Sequence, residues 1–324
     1  MTIVHFCAGL EHWNGMANTA RQFVAEELAR GDDSQLTNDV RVVERMEKVD
    51  RIHIHGTWLP VLWKVAKLAK KKGMELIVRP CGNYDPIRIR RGTIKRLKKW
   101  LVGPFEHAML NRANFVQCTC AAEVEWVKAY HPKARIQMTD LKRFFNLKEK
   151  GEGRKEKVGG LHLLYLGRRD PLKGVEFLEQ AVAELSGEAV SRPLREEECS
   201  PLLRSGRETA SPLIELRIIS DHFGEELEKD WEWCDILCLP TLSENFGRVV
   251  AEALERGKRV ITTDGAPVWE PEGEVAGGRW LVIGACKLGI GYDGRLIYLK
   301  GFRDGTAAER VALLKRAIVE LAGK

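Results

Sequence analysis

The residues best suited to chemistry lie in two stretches of the C-terminal half. The first is Tyr165-Leu-Gly-Arg-Arg-Asp-Pro-Leu-Lys-Gly174. An apolar run ends in Gly167, a charged turn follows, and Lys173-Gly174 leads into helical periodicity. In an open α/β sheet, ligands bind beyond the carboxyl ends of the strands. A helix N-terminus at that place turns backbone N–H groups toward an anion. Arg168 and Lys173 would add fixed positive charge there. A departing diphosphate needs such neutralisation, because negative charge develops on it as its bond breaks. An ordinary charged turn is the alternative.

The second stretch is Leu239-Pro-Thr-Leu-Ser-Glu-Asn-Phe-Gly-Arg-Val-Val-Ala-Glu-Ala-Leu254. A strand runs into Pro240, a polar turn presents Glu244, and a helix begins near Gly247. Glu252 falls on the second turn of that helix. Two carboxylates so placed can accept from separate hydroxyl groups of one extended ligand. The N–H groups of Asn245, Phe246 and Gly247 are expected to be free and to face the same space. Glu252 alone would pass for a solvated helix glutamate.

These loops need strands and helices to hold them. Apolar runs at Thr2–Phe6, Arg51–His55, Glu75–Val78 and Asn114–Cys118 alternate with helical patterns at Ala17–Arg30, Trp58–Lys72, Thr93–Asn111 and Ala121–Tyr130. That is the βαβα order of a parallel sheet covered by helices. The polar stretch Lys148–Gly160 interrupts it. The pattern then restarts with strands at Leu161–Leu166, Glu215–Ile219, Ile236–Pro240 and Arg259–Thr263, and helices at Gly174–Leu185 and Gly247–Arg256. The expected fold class is α/β, with two Rossmann-like domains facing a cleft. Their expected bounds are 1–150 and 161–324, joined by a linker at 151–160, with a flexible insertion near 186–211.

Composition narrows the function classes. Of 324 residues, 44% are hydrophobic and 30% charged, which excludes a disordered chain or a collagen-like fibre. No apolar run approaches the roughly 18–20 residues that cross a bilayer. The N-terminus lacks a signal-peptide pattern, so a cytoplasmic location is expected. Eight cysteines form no even framework, and neither Cys118-Thr119-Cys120 nor Cys234 with Cys238 has a second half-site at zinc spacing. Reduced, buried thiols are the expectation.

Charge is uneven within a net +6. Arg88–Lys99 carries seven cations and no acid, and Lys64, Lys67, Lys70, Lys71 and Lys72 mark a second cluster. Such patches attract phosphate-rich partners or form a solvated helix face. Nucleic acid is not expected, because no recognisable motif or interleaved aromatics accompany the charge.

GRRDPLKG followed by LPTLSENFGRVVAEAL resembles the donor domain of retaining GT-B glycosyltransferases of family GT4. HWNGMANTA, HIHGTW and ELIVRPCGNYDP resemble N-terminal stretches of the same family, as found in enzymes of lipopolysaccharide and capsular polysaccharide assembly. The resemblance implies a transferase moving a sugar from a nucleotide-diphosphate donor to a glycan or lipid-linked acceptor with retention. It implies no metal and no cofactor, the nucleotide sugar being substrate. The first domain would be the acceptor side. Arg168 and Lys173 would hold the diphosphate, Glu244 the sugar hydroxyls and Glu252 the ribose, with backbone contacts from Asn245, Phe246 and Gly247. Acceptor-side candidates are Gly15, His55 and Cys81. Lipid-linked acceptors imply peripheral contact of Arg88–Lys99 with anionic membrane at its inner face.

This chain departs from the family at four places. Asn14 precedes Gly15 where two glycines are usual, and Cys81 stands where His or Arg is common. The usual Pro-Asn-Gly turn before the linker is absent, and the stretch from Ile219 to Ile236 is too short for the customary strand and helix. A nucleotide-sugar epimerase of the same fold and a non-catalytic binding partner are the alternatives.

Other candidates are weaker. Gly289-Ile-Gly-Tyr-Asp-Gly294 spells a dinucleotide fingerprint but precedes a strand-like run. His53 and His55 share one strand face near its end. The histidines at 5, 107, 131, 162 and 222 sit without partners at recognisable spacing and are expected to be structural.

Overall fold

The computed structural model describes residues 1–10, 15–147, 160–187, 214–271, 281–283, 286–291 and 295–322. The expected linker, apart from Gly160, lies outside them, as do residues 11–14 and all of the expected insertion but Ser186 and Gly187. The chain divides into two compact units, Met1–Phe144 and Phe145–Lys324.

The N-terminal unit runs β1 (Thr2–Cys7), α1 (Gly15–Ala29), β2 (Asp33–Thr37), α2 (Val40–Arg45), β3 (Arg51–His55), α3 (Pro60–Lys72), β4 (Glu75–Arg79), α4 (Pro86–Arg90), α5 (Thr93–Arg112), β5 (Phe115–Cys118), α6 (Ala121–Tyr130) and β6 (Ile136–Met138). Its strands form one parallel sheet in the order β2-β1-β3-β4-β5-β6. Local chemistry sets the element ends. Pro60 opens α3, where a missing N–H costs nothing. Gly73, at φ 71°, closes it with an N–H to the Ala69 and Lys70 carbonyls. Lys70, Lys71 and Lys72 sit in the last turn, where the helix dipole favours cations.

Strand alternation gives the sheet two unlike faces. Val4, Phe6, Ile52, Ile54, Leu76 and Val78 pack with Leu62, Val65 and Met109 in an apolar core. The opposite face carries His5, His53, His55 and Arg79, all buried. A parallel sheet covered on both sides is ordinarily apolar on both. Here one buried face is polar.

The C-terminal unit runs β7 (Leu161–Leu166), α7 (Val175–Leu185), β8 (Ile214–Ile219), α8 (Glu225–Trp233), β9 (Ile236–Leu239), α9 (Arg248–Glu255), β10 (Arg259–Thr263), β11 (Leu281–Ile283), β12 (Cys286–Gly291), β13 (Leu296–Lys300) and α10 (Ala307–Ala322). Its sheet order among the described residues is β11-β12-β13-β10-β9-β7-β8. Strands β8 to β13 run parallel except β12, which is antiparallel to both neighbours.

One sequence expectation changes. The stretch between Ile219 and Ile236 does hold a helix, α8, whose buried Trp231 and acidic first turn fit a short amphipathic segment. The C-terminal tail completes the unit. β13 pairs with β10 from Val260↔Leu296 to Thr263↔Leu299, and α10 buries Val311, Leu314, Ala317 and Ile318. Gly289 and Gly291 lie in β12 rather than in a phosphate loop, while 292–294 fall outside the described residues. The tail therefore contributes core, and Ile318→Ala should destabilise the C-terminal unit by about 2–5 kcal/mol in a denaturant titration.

Candidate functional site

In each unit the strand order reverses between two parallel neighbours, β1 and β3 in the first and β7 and β9 in the second. Crossovers leave the sheet in opposite directions there, opening a crevice at the carboxyl ends of the strands. In the C-terminal unit three loops meet at that edge. The Asp170 carboxylate accepts from the Leu172 N–H at 2.8 Å and shapes the turn after β7. The Leu172 carbonyl accepts from the Leu242 N–H at 2.8 Å and the Thr241 hydroxyl at 3.0 Å, fastening this turn to the loop after β9. The Thr263 hydroxyl donates to the Thr241 carbonyl, and the Glu244 N–H donates to the Gly265 carbonyl at 2.7 Å. Gly174 has φ +62°, and a Cβ there would collide with the Pro240 carbonyl. Only glycine permits that approach.

The consequence is an ion pair between Lys173 Nζ and Glu244 Oε2. Their side chains are 16% and 23% exposed, so water screens the pair less than one on the surface. Two residues far apart in sequence thus meet across the strand-order reversal. Arg168 lies exposed on the same turn, where its carbonyl accepts from the Tyr165 hydroxyl at 3.0 Å. The neighbouring Arg169 is spent on Glu179 at 2.7 Å.

The remaining donor-side candidates divide by role. The Asn245 N–H is not free as expected, since it donates to Glu244 Oε1 at 3.1 Å. Phe246 is buried against Trp269 and Phe145, and its carbonyl accepts from Trp269 Nε1, so its ring anchors the loop. Gly247, at φ 66°, caps α9. Glu252 accepts from Arg248 at 3.3 Å one turn earlier, so it is a paired rather than a solitary helix carboxylate.

In the N-terminal unit Gly15 opens α1 and its carbonyl accepts from the Thr19 hydroxyl at 2.8 Å. Cys81 adopts φ 54°, in the left-handed region, and burial pushes its thiol up to about 12. It is a neutral group. His55 is not at an open edge as expected. It is 1% exposed, and its Nε2 meets His5 Nδ1 at 2.9 Å. His5 Nε2 meets Glu27 Oε2 at 2.8 Å, and the Ser34 hydroxyl donates to the same oxygen at 2.7 Å. Burial raises the Glu27 carboxyl, but the bonds from His5 and Ser34 outweigh it and hold the group below its ordinary value.

The histidines that show no partner at recognisable spacing meet partners through the fold. Besides His5, His107 meets His131 at 3.0 Å, His162 lies 3.2 Å from Asp235, and His222 meets Asp230 at 2.6 Å. Ligand atoms of His5, Glu27 and His53 lie within 4.8 Å of one another. Yet the His5 and His53 rings stack 4.5 Å apart at 11°, so their in-plane lone pairs run side by side and do not converge on one ion. His5 and Glu27 are hydrogen-bonded in this buried layer, and His53 stacks on His5 with no hydrogen-bond partner among the described residues.

Sequence reasoning missed Glu106. It is fully buried on α5, and burial raises its carboxyl against the hydrogen bonds it accepts from the Tyr84 hydroxyl at 2.5 Å, Trp63 Nε1 at 2.6 Å and the Trp58 N–H at 3.1 Å. These bonds hold Trp58 at φ 67°, strained for a bulky residue, in the loop after β3. An acid inside an otherwise basic helix was the available signal.

Residues 14–139 match the family model of the glycosyl transferase 4-like domain. The sucrose-phosphate synthase of Thermosynechococcus elongatus superposes with a TM-score of 0.56 at 14% identity, covering 83% of each chain. WaaG, a glycosyltransferase involved in lipopolysaccharide biosynthesis, gives 0.55 at 13% identity, covering 98% of this chain and 90% of its own. Residues 14–139 thus resemble a glycosyl transferase 4-like domain, and the fold is that of the GT-B glycosyltransferases. A D-inositol 3-phosphate glycosyltransferase of Corynebacterium urealyticum is 27% identical over 179 residues, covering 49% of this chain. The chain spans 42% of that relative's length.

The histidine layer predicts acid sensitivity. Burial first, then the charges of His5 and Arg79, lower His53 and His55 well below the ordinary 6.5. A group depressed on folding takes up its proton more readily when unfolded, so the stability it contributes is intact above about pH 6.5 and is lost as pH falls below it. Denaturant titrations at stepped pH should show a loss of about 1.4 kcal/mol per pH unit for each of the two histidines. His53→Gln should halve that slope.

Proposed function

We propose that the chain transfers a sugar from a nucleotide-diphosphate donor to a glycan or lipid-linked acceptor, with retention and without a metal, in lipopolysaccharide or other surface-polysaccharide assembly. The observation that carries this reading is the Lys173–Glu244 pair at the strand-order reversal of the C-terminal unit. The bond from the sugar's anomeric carbon to the diphosphate oxygen breaks, its electron pair leaving with the diphosphate. Lys173 and Arg168 offset the charge that develops there. The acceptor hydroxyl attacks on the same face, and its proton passes to the departing diphosphate. Such a route asks for no protein base, which suits the neutral thiol at Cys81. Glu244 orients Lys173 and accepts from sugar hydroxyls, and Glu252 accepts from the ribose.

Lys173→Ala and Glu244→Ala should each lower turnover of a radiolabelled nucleotide sugar by about 10²–10³ while leaving the unfolding transition little changed. Near-wild-type turnover in both would refute the assignment.

The working surface follows from α5. Leu97, Trp100, Leu101 and Phe105 are 58%, 74%, 60% and 59% exposed, at spacings that share one helix face. Cations of Arg88–Lys99 flank them. Among the described residues no helix is long and apolar enough to cross a membrane. An apolar face rimmed by cations suits reversible seating on anionic headgroups, each cation contributing on the order of 1 kcal/mol. In liposome flotation, binding should require anionic lipid, weaken with salt and drop in the Arg96→Glu, Lys98→Glu, Lys99→Glu variant. Equal flotation of variant and wild type would remove the membrane role.

A further inference from the structure

Strand β4 is apolar between Glu75 and its last residue, Arg79, which faces the polar side of the N-terminal sheet beside its register partner His55 on β3. Arg79 is 2% exposed, with its guanidinium 4.4 Å from the Phe23 ring centre. With one face so covered, partners must come in the guanidinium plane, where its N–H groups point. Yet among the described residues Nε and Nη1 have no hydrogen-bond partner. The nearby carboxylates are held elsewhere. Glu123 accepts from the Gly82 N–H at 2.7 Å and from the Thr119 N–H and hydroxyl at 2.8 Å, and Glu27 accepts from His5 and Ser34. A buried cation without a hydrogen-bonded anion is costly, and its retention calls for a reason.

Among the described residues two further buried atoms at this edge lack partners, His55 Nδ1 and Thr57 Oγ1, as do both ring nitrogens of His53 in mid-strand. The hydrogen-bond chain assigns the first of them a role. Ionised Glu27 can only accept, so His5 Nε2 donates to it. In the neutral cluster His5 Nδ1 then accepts from His55 Nε2, which leaves His55 Nδ1 as a bare acceptor. The edge therefore offers cationic donors at Arg79, an acceptor at His55 and a hydroxyl at Thr57 that can do either. A carboxylate or sulfate supplies charge without a hydrogen. Phosphate that retains a P–OH supplies both.

We propose that Arg79, His55 and Thr57 form a subsite for a protonated phosphate group carried by the acceptor. The word acceptor rests on the proposed transferase function, whereas phosphate binding by this unit does not, so the two can fail separately. Opening of the cover over Arg79 accompanies entry. The test is calorimetric titration of the full chain with inorganic phosphate, sulfate and acetate, in a Lys173→Ala background that weakens phosphate binding in the C-terminal unit. Phosphate should bind in preference to sulfate and acetate. Arg79→Met and Thr57→Val should each weaken phosphate binding by about tenfold or more. In phosphate-free buffer Arg79→Met should melt no lower than its parent, because an apolar chain replaces an uncompensated charge.

Equal binding of sulfate and phosphate would overturn the proposal, as would unchanged phosphate binding in Thr57→Val, which decides the matter if Arg79→Met does not fold. A lower melting temperature in Arg79→Met with phosphate binding intact would make Arg79 purely structural. Competition by a soluble hexose phosphate identifies a soluble acceptor, and competition only by phosphatidate-containing vesicles identifies a lipid-borne one. Competition by neither overturns the link to the acceptor.

Discussion

Lys173 reaches Glu244 because the strand order of the C-terminal sheet reverses between β7 and β9. Right-handed crossovers must leave the sheet on opposite sides of that point, so the loops after the two strands part and then face each other. Everything in the site follows from keeping them at one distance. Leu172 ties the first loop to the second, Thr263 and Gly265 tie the second to β10, and Gly174 allows backbone to lie against backbone. The ion pair is the chemical result of this scaffold. Its partial shelter from water makes the charges useful, since a lysine wholly in solvent would do little for a developing diphosphate.

The N-terminal unit repeats the reversal between β1 and β3 but fills its edge differently. One sheet face holds an apolar core, and the other buries three histidines, a glutamate and an arginine. Such a layer contributes less stability than hydrocarbon would, because each polar group gives up water for an imperfect set of bonds. The chain from Glu27 through His5 to His55 satisfies part of it. Among the described residues the unsatisfied atoms include both ring nitrogens of His53 and, toward the carboxyl ends of the strands, atoms of Arg79, His55 and Thr57. That is where ligands bind in sheets of this topology.

Glu106 links this edge to the exposed face of α5. It binds the Trp58 N–H, Trp63 and Tyr84 together, so the strained loop after β3 and the basic helix share one buried carboxylate. The aromatic contacts of Trp58 with Tyr84 and Tyr130 enclose it further. A force on α5 would reach the loop through a rigid connection of three hydrogen bonds.

The sequence by itself determined the two α/β units, because apolar runs and helical periodicity are local properties written in consecutive residues. Strands such as Arg51–His55 and Leu161–Leu166, and the helix Ala121–Tyr130, stand where periodicity puts them. It also marked Lys173 and Glu244, since lysine before a helix and glutamate after a strand are local signals. Helix α8 was hidden by its shortness, and β2, with the polar sequence Asp-Ser-Gln-Leu-Thr, by its lack of apolar alternation. Packing alone brings Lys173 to Glu244, turns His55 inward to His5 and leaves Arg79, under Phe23, with N–H groups unpaired among the described residues. Those facts depend on which strands are neighbours and which loops share an edge. No single segment contains that information, because it arises when distant parts of the chain are packed against one another.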